Sequence, residues 1–258
     1  MPSRVSRRRL WIARPLVAVA FFSIWIAYVR LWDLPGYFLP HPWDVGVRFA
    51  HLVGSGVLVR HALFTLQSVL LGFSLGAVAA IVAGTLISRS RFVEGLLRPY
   101  VVALQTTPIL TLAPLFLVWF GFGITSKVLI AAIICFFPLL VNVILGFRSV
   151  GDNERRLFQA LHASAWRTFV HLEVPHALPF LFAGLRIASL LSVTGAVVGE
   201  FVGSQAGLGY LALASAGNLE TEVLFSAVLS LMLIGFSFYG LIVLIERRLL
   251  FWHESARQ

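Results

Sequence analysis

Six separate stretches of about 20 mostly apolar residues, divided only by short polar breaks, decide what this chain can fold into. Each is long enough to cross the hydrocarbon core of a bilayer. Inside lipid, every backbone N–H and C=O has to be satisfied within its own segment, which leaves the helix as the default. The expected fold is an all-α, polytopic membrane helix bundle with six transmembrane helices at 13–32, 63–88, 100–121, 127–148, 178–200 and 223–246. Composition agrees: at 59% hydrophobic and 12% charged, 258 residues carry too little polar surface to cover a soluble globule. No segment between spans exceeds about 30 residues, which is too short for a soluble domain, so 1–258 is expected to be a single transmembrane domain.

The formal charge of +9 could suggest nucleic acid, but the basic residues form short clusters between apolar runs rather than one polar face. That is the distribution of a membrane protein obeying the positive-inside rule, and no nucleic-acid partner is expected. With the N-terminus inside, Arg4, Arg7, Arg8, Arg9, Arg14, Arg89, Arg91, Arg98, Arg148, Arg155, Arg156, Arg167, Arg247, Arg248 and Arg257 fall on the cytoplasmic side. Only Arg30, Arg48, Arg60 and Lys127 fall outside, so both termini are expected to be cytoplasmic. The first run follows a basic start, like a signal peptide, but no small-x-small cleavage site precedes Asp33, which predicts a retained anchor. Residues 33–60 mix Tyr37, Phe38, Trp43 and Phe49 with prolines and glycines, as suits a segment lying along the interface. In the second span, Gly72, Gly76, Ala80 and Gly84 recur every four residues and predict one smooth face for close helix packing, within the bundle or across a dimer.

Catalytic and metal-binding chemistry is missing. The only lysine, Lys127, stands in Ser126-Lys127-Val128 and not at the end of a glycine-rich phosphate loop, so the chain is not its own P-loop motor. The seven histidines make no HExxH pair, there is no Gly-x-Ser-x-Gly elbow, and Asp33, Asp44 and Asp152 lie in loops. Cys135 is alone in an apolar run, which predicts a packing role. Polar groups within or at the ends of spans are costly in lipid unless they face a partner or a water path. Gln67, Gln105, Thr106, Thr107, Asn142, Thr194 and Glu200 form this set, either as interhelical hydrogen-bonding groups or as lining of a translocation path.

Between the fourth and fifth spans, residues 152–167 read as a short surface helix with Asp152 or Asn153 as N-cap and Glu154 in the first turn. Leu157, Ala160, Leu161 and Ser164 follow helical spacing on one face, suited to a partner's groove. The loop, about 150–177, ends at Val174-Pro175, and Leu178-Pro179 starts the next span.

This region resembles the permeases of binding-protein-dependent ATP-binding-cassette importers, in particular the nitrate, sulfonate and taurine group. The resemblance is carried by Ala163-Ser164-Ala165-Trp166 with Phe169, Val174-Pro175-His176-Ala177-Leu178-Pro179 and Gly184-Leu185-Arg186-Ile187. Leu39-Pro40-His41-Pro42, the run from Pro114 to Gly123, and Gly199-Glu200-Phe201 with Gly207-Leu208-Gly209-Tyr210 also fit, so the likeness covers about 35–246.

The resemblance implies a mechanism. Two permease subunits, as a homodimer, would form the path, and a periplasmic or lipid-anchored binding protein would deliver the solute. A pair of cytoplasmic ATP-binding subunits would hold ATP and magnesium, with no cofactor on this chain. The residues that the resemblance assigns to ATPase coupling are Arg156, Leu157, Ala160, Leu161, His162, Ala163 and Ser164. One departure stands out. The family's loop opens with Glu-Ala-Ala and has a glycine six residues after the glutamate, whereas Arg156, Leu157, Phe158 and His162 occupy those positions here. For substrate, Gln105-Thr106-Thr107-Pro108 and Gly199-Glu200-Phe201 look closer to importers of riboflavin or pyrimidine vitamin precursors than to those of sulfonates. A non-transporting scaffold or sensor, and a secondary transporter driven by protons through Glu200, are the rivals from other classes.

Overall fold

The computed structural model describes residues 7–106 and 108–250. Eleven α-helices are found among them: α1 Arg7–Leu31, α2 Pro42–Gly54, α3 Val57–Ser88, α4 Arg91–Thr106, α5 Ile109–Phe120, α6 Ile124–Arg148, α7 Asp152–Ala160, α8 Ala165–Thr168, α9 Val174–Gly203, α10 Leu208–Gly217 and α11 Thr221–Leu249. No strand occurs among the described residues. Four helical stretches are long and apolar enough to cross a membrane: α3, α6, α11 and the run Ala165–Gly203. The bent pair α4 and α5 makes a fifth if the two are one broken span, and the apolar part of α1, Pro15–Leu31, is shorter than these.

The third expected span needs correction. In place of one helix over 100–121, the chain forms α4 and α5, whose axes diverge by 91°. Pro108 explains the break: it has no N–H to donate to the preceding turn, and a proline disfavours helical geometry in the residue before it. It stands as N-cap of α5 with an extended ψ of 99°.

The chain forms two compact units. One takes the described residues up to Arg60 together with Leu211–Leu229. Here Trp25 of α1 packs on Phe225, ring centroids 5.3 Å apart, and the Thr221 hydroxyl donates to the Tyr37 carbonyl at 2.5 Å. Within 33–60 lies the amphipathic α2, begun by Pro42 and capped by His41, whose Nδ1 accepts from the Trp43 N–H at 3.2 Å. Val45 and Leu52 are buried and Trp43 is exposed.

The other unit takes His61–Tyr210 and the chain from Ser230 onward, and α6 is its axis. Ile130, Ala131, Cys135 and Leu139 of α6 are fully buried. The small-residue face of α3 packs on α6 of the same chain: a Cβ added at Gly72 would lie 2.5 Å from Ala131 Cβ, and one at Gly76 2.5 Å from the Ala132 carbonyl oxygen. Contacts advance together along both helices, Gly72 on Ala131 and Gly84 on Val143, so α3 and α6 run parallel. The ninth helix is antiparallel to α6, with Gly184 on Asn142, Gly195 on Ala131 and Gly199 on Lys127. Glycines let these backbones approach to a distance that longer side chains forbid. Arg148 at the end of α6 pairs with Glu94 of α4, and Arg186 Nε of α9 lies 3.5 Å from Glu246 of α11.

Candidate functional site

The loop between α6 and α9 starts with a different cap from the one expected. Gly151 is the N-cap of α7, and the Glu154 carboxylate reaches back to accept its N–H at 2.7 Å, leaving Asp152 in the first turn where it complements the helix dipole. The helix is also shorter than expected. It ends at Ala160, and Ser164 does not share its face. The Ala163 N–H bonds to the Phe158 carbonyl at 3.0 Å and the His162 N–H to the Gln159 carbonyl at 2.9 Å, the paired closure of a Schellman ending. His162 takes the left-handed position with φ of 53°, and its Nδ1 sits 3.0 Å from the Ala160 carbonyl.

Ser164 instead caps α8, its hydroxyl accepting from the Arg167 N–H at 3.3 Å. A π-helical turn, Phe169–Glu173, then leads directly into α9. The fifth span therefore begins before Leu178: the chain is helical from Ala165 to Gly203. Pro175 is accommodated because it falls in the first turn of α9, where a missing N–H costs least.

The α7 helix buries none of its residues. Arg155 and Phe158 are half-buried, while Arg156, Leu157, Ala160, Leu161, His162 and Ser164 are exposed and Ala163 is intermediate. Leu157, Leu161 and Trp166 are 57, 69 and 72% exposed, so an apolar surface projects from a loop that also carries Arg156 and Arg167.

Beneath this loop lies a cluster that the sequence reading missed. The Glu173 side chain, 8% exposed, accepts from Arg89 Nη1 at 2.7 Å and from Arg155 Nη1 at 3.2 Å. Arg155 Nη2 also donates to the Phe147 carbonyl at 3.3 Å. The Arg89 guanidinium lies 4.7 Å from the centre of the Phe169 ring, which stacks on Phe147 and touches Trp166. One signal in the sequence pointed here: a carboxylate between Leu172 and Val174 in a helical run needs a cationic partner.

The path candidates are not gathered into one group. Gln67 and Thr194 are exposed, and the Thr194 hydroxyl folds back toward the Leu190 carbonyl at 3.4 Å. Asn142 is half-buried, donates to the Pro138 carbonyl at 2.8 Å and packs against Gly184. The side chains of Gln105 and Thr106, and all of Thr107, lie outside the described residues.

Glu200 is buried, and both of its oxygens are engaged. Thr65 donates to one at 2.8 Å and the Gly209 N–H to the other at 2.7 Å. The Thr65 hydroxyl accepts in turn from the Leu208 N–H at 2.7 Å. These bonds tie the start of α10 to α3 and α9, with Gly207 at φ 108° making the turn and its N–H meeting His61 Nδ1 at 3.1 Å. Lys127, expected at an outer mouth, is fully buried and donates to the carbonyls of Phe122 at 2.7 Å and Gly203 at 2.5 Å. The spacing from Gly199-Glu200 to Gly207-Leu208-Gly209 is thus what one carboxylate needs to reach the first turn of the following helix.

Residues 72–251 match the family described as the binding-protein-dependent transport system inner membrane component. The chain belongs to this family. The permease is 39% identical over 241 residues to the riboflavin transport system permease protein of Chloroflexus aurantiacus, covering 93% of this chain and 90% of that one. Identity is 35% over 232 residues, covering 90% and 92%, with the formylaminopyrimidine transport permease protein of Halalkalibacterium halodurans. With the putative aliphatic sulfonates transport permease protein of Bacillus subtilis it is 30% over 249 residues, covering 96% and 90%. The fold is similar to the crystal structure of an amino acid ABC transporter with histidines, at a TM-score of 0.63 and 17% identity, covering 77% of this chain and 97% of that one. The resemblance drawn from the loop motifs therefore holds, and the protein is a multi-pass inner-membrane ABC permease whose relatives are transport permeases. In this permease, His162 occupies by its backbone angle the left-handed region that favours glycine.

Proposed function

We propose that this permease forms, with a second copy of itself, the translocation path of an ATP-driven importer for a small organic solute, a vitamin-like heterocycle such as riboflavin or a pyrimidine precursor of thiamine. Two separate cytoplasmic ATPases, carrying ATP and magnesium, dock on the loop of α7 and α8, and a binding protein on the outer side delivers the solute. The observation that carries the docking assignment is the α7 surface itself: a nine-residue helix with no buried residue that holds Leu157 and Leu161 out of the bundle beside Trp166. Solvent-facing leucines and a tryptophan on a short helix suit an apolar groove in a partner. ATP binding draws the two ATPases together and shifts the population between inward-open and outward-open states.

The preference for a neutral heterocycle rests on two observations. The relatives named for riboflavin and formylaminopyrimidine are 39 and 35% identical, against 30% for the sulfonate relative. Span cations that would attract an anion are already engaged, Arg186 with Glu246 and Lys127 with two backbone carbonyls. The sulfonate relative supports a second reading, import of nitrate, sulfonates or taurine by the same machinery.

The test is reconstitution in proteoliposomes with the cognate ATPase and binding protein, followed by uptake of labelled riboflavin, formylaminopyrimidine and taurine. Uptake of a heterocycle that needs ATP hydrolysis is the expected result. Taurine uptake under the same conditions would transfer the assignment to the second reading. Uptake driven by a proton gradient without ATP, or no uptake by a complete complex, would overturn the importer itself.

A further inference from the structure

We propose that Glu173, held between Arg89 and Arg155, is the positioning residue that carries displacement of α7 into the spans, so that α3 and α9 move together with the docking helix. This rests on the docking reading above and adds to it the route by which force leaves the loop.

The argument begins with what does not hold α7. None of its nine residues is buried and Phe158 is its one half-buried apolar side chain, so hydrophobic contact with the bundle is slight. A cavity of about 570 Å³ also opens beside its first turn, lined by Ser88, Arg91, Arg148 and Ser149 among others, so contact there is sparse. What remains, besides the chain itself, is the side-chain reach of Arg155 and a longer pairing of Glu154 with His176 of α9 at 3.7 Å, in which one partner is an imidazole rather than a fixed guanidinium. The Arg155 guanidinium spans from α7 to the Glu173 carboxylate and to the carbonyl of Phe147 near the end of α6.

Glu173 then passes the link on. Its second oxygen takes Arg89, the residue directly after α3. Glu173 itself is the last residue of the π-helical turn from which α9 continues. One carboxylate thus joins α7, the end of α3 and the root of α9; it is 8% exposed, while the Arg89 and Arg155 side chains that reach it remain 47 and 40% exposed. A charge-assisted bond with two fixed forks is a directional connection, unlike a greasy contact that slides. Removing the carboxylate leaves two guanidinium groups facing each other, so the cluster would open rather than rearrange.

The experiment measures solute transported per ATP hydrolysed by the reconstituted complex for Glu173→Gln, Arg155→Gln and Arg89→Gln, together with capture of the ATPase and thermal stability. The docking surface is untouched in all three, so capture should persist. The transport ratio should fall by roughly 2- to 30-fold, the range expected for breaking one coupling link. Arg155→Lys should recover part of the loss, and Arg91→Gln, which lines the cavity but makes no ion pair among the described residues, should not change the ratio. A purely structural role would lower stability and leave the ratio intact. Should Glu173→Gln fail to accumulate, Arg155→Gln decides, because it leaves Glu173 paired with Arg89. An unchanged ratio in Arg155→Gln and Arg89→Gln, with the complex intact, overturns the clamp alone. A wild-type chain that captures no ATPase overturns the docking reading and the clamp with it.

Discussion

Adding a single methyl group at Gly195 should loosen the bundle where two helix backbones meet closely. A Cβ there would lie 2.6 Å from Ala131 Cα and 3.2 Å from Ala131 N, against about 3.5–4.0 Å for comfortable carbon contacts. The obstructing atoms are backbone, so no rotamer change relieves the clash. Nor has α6 room to retreat: Ile130 and Ala131 are fully buried, and Gly72 of α3 rests on the same Ala131. Overpacking of this kind costs about 1–3 kcal/mol. Alanine is also the better helix former by about 1 kcal/mol, which would partly hide the effect in a comparison with wild type. Gly240→Ala on α11 removes that ambiguity, since nothing lies within 4 Å of the added methyl and the propensity gain is the same. The difference between the two variants isolates the packing penalty, with Gly195→Ala less stable by about 1–3 kcal/mol. Unfolding in mixed micelles of increasing SDS fraction, followed by circular dichroism, reads it directly. If Gly195→Ala proved as stable as Gly240→Ala, α6 and α9 would not approach as closely as described, and the parallel–antiparallel packing around Ala131 would be wrong.

Four further expectations follow from particular positions. Leu161→Glu places a charge at the centre of the exposed apolar surface of α7 and should abolish co-purification of the ATPase, with unchanged association counting against docking. Thr65→Val removes the hydroxyl shared by Glu200 and the Leu208 N–H at nearly constant volume and should cost about 1–3 kcal/mol. Gln67→Ala, at an exposed position, should stay within about 0.5 kcal/mol of wild type in the same SDS titration. At position 162, Gly should be accepted, whereas Val, at a φ of 53°, should cost about 1–2 kcal/mol and speed hydrogen exchange over 152–163; equal exchange rates in the two variants would remove the Schellman ending.

The spans and their closest approach were legible because both signals are local. Gly72, Gly76, Ala80 and Gly84 lie on one face by helical arithmetic alone, and that face meets α6. Where periodicity misled, a short-range stereochemical event had overridden it. Pro108 is visible in the sequence, yet the apolar run continues across it, and length alone favoured one helix. The end of α7 was harder to see, because a histidine holds a position that usually announces itself as glycine.

The charged groups show a different limit. Glu200 was found by the rule that a carboxylate in a span must have a partner or a water path, and the rule cannot choose between these. The choice depends on Thr65 and Gly209, one of them 135 residues away, and on whether both oxygens are occupied. A carboxylate whose two oxygens hold a hydroxyl and a helix N-terminus has little capacity left for a passing solute. Gln67 and Thr194 are exposed, and no hydrogen bond links either side chain to another helix among the described residues. Glu173 poses the same problem in reverse, since its partners stand 84 and 18 residues away on elements that only the fold brings together. For such groups the sequence identifies the need for a partner, while the packing of α3, α7 and α9 decides whether satisfying it yields a cap, a path or a lever.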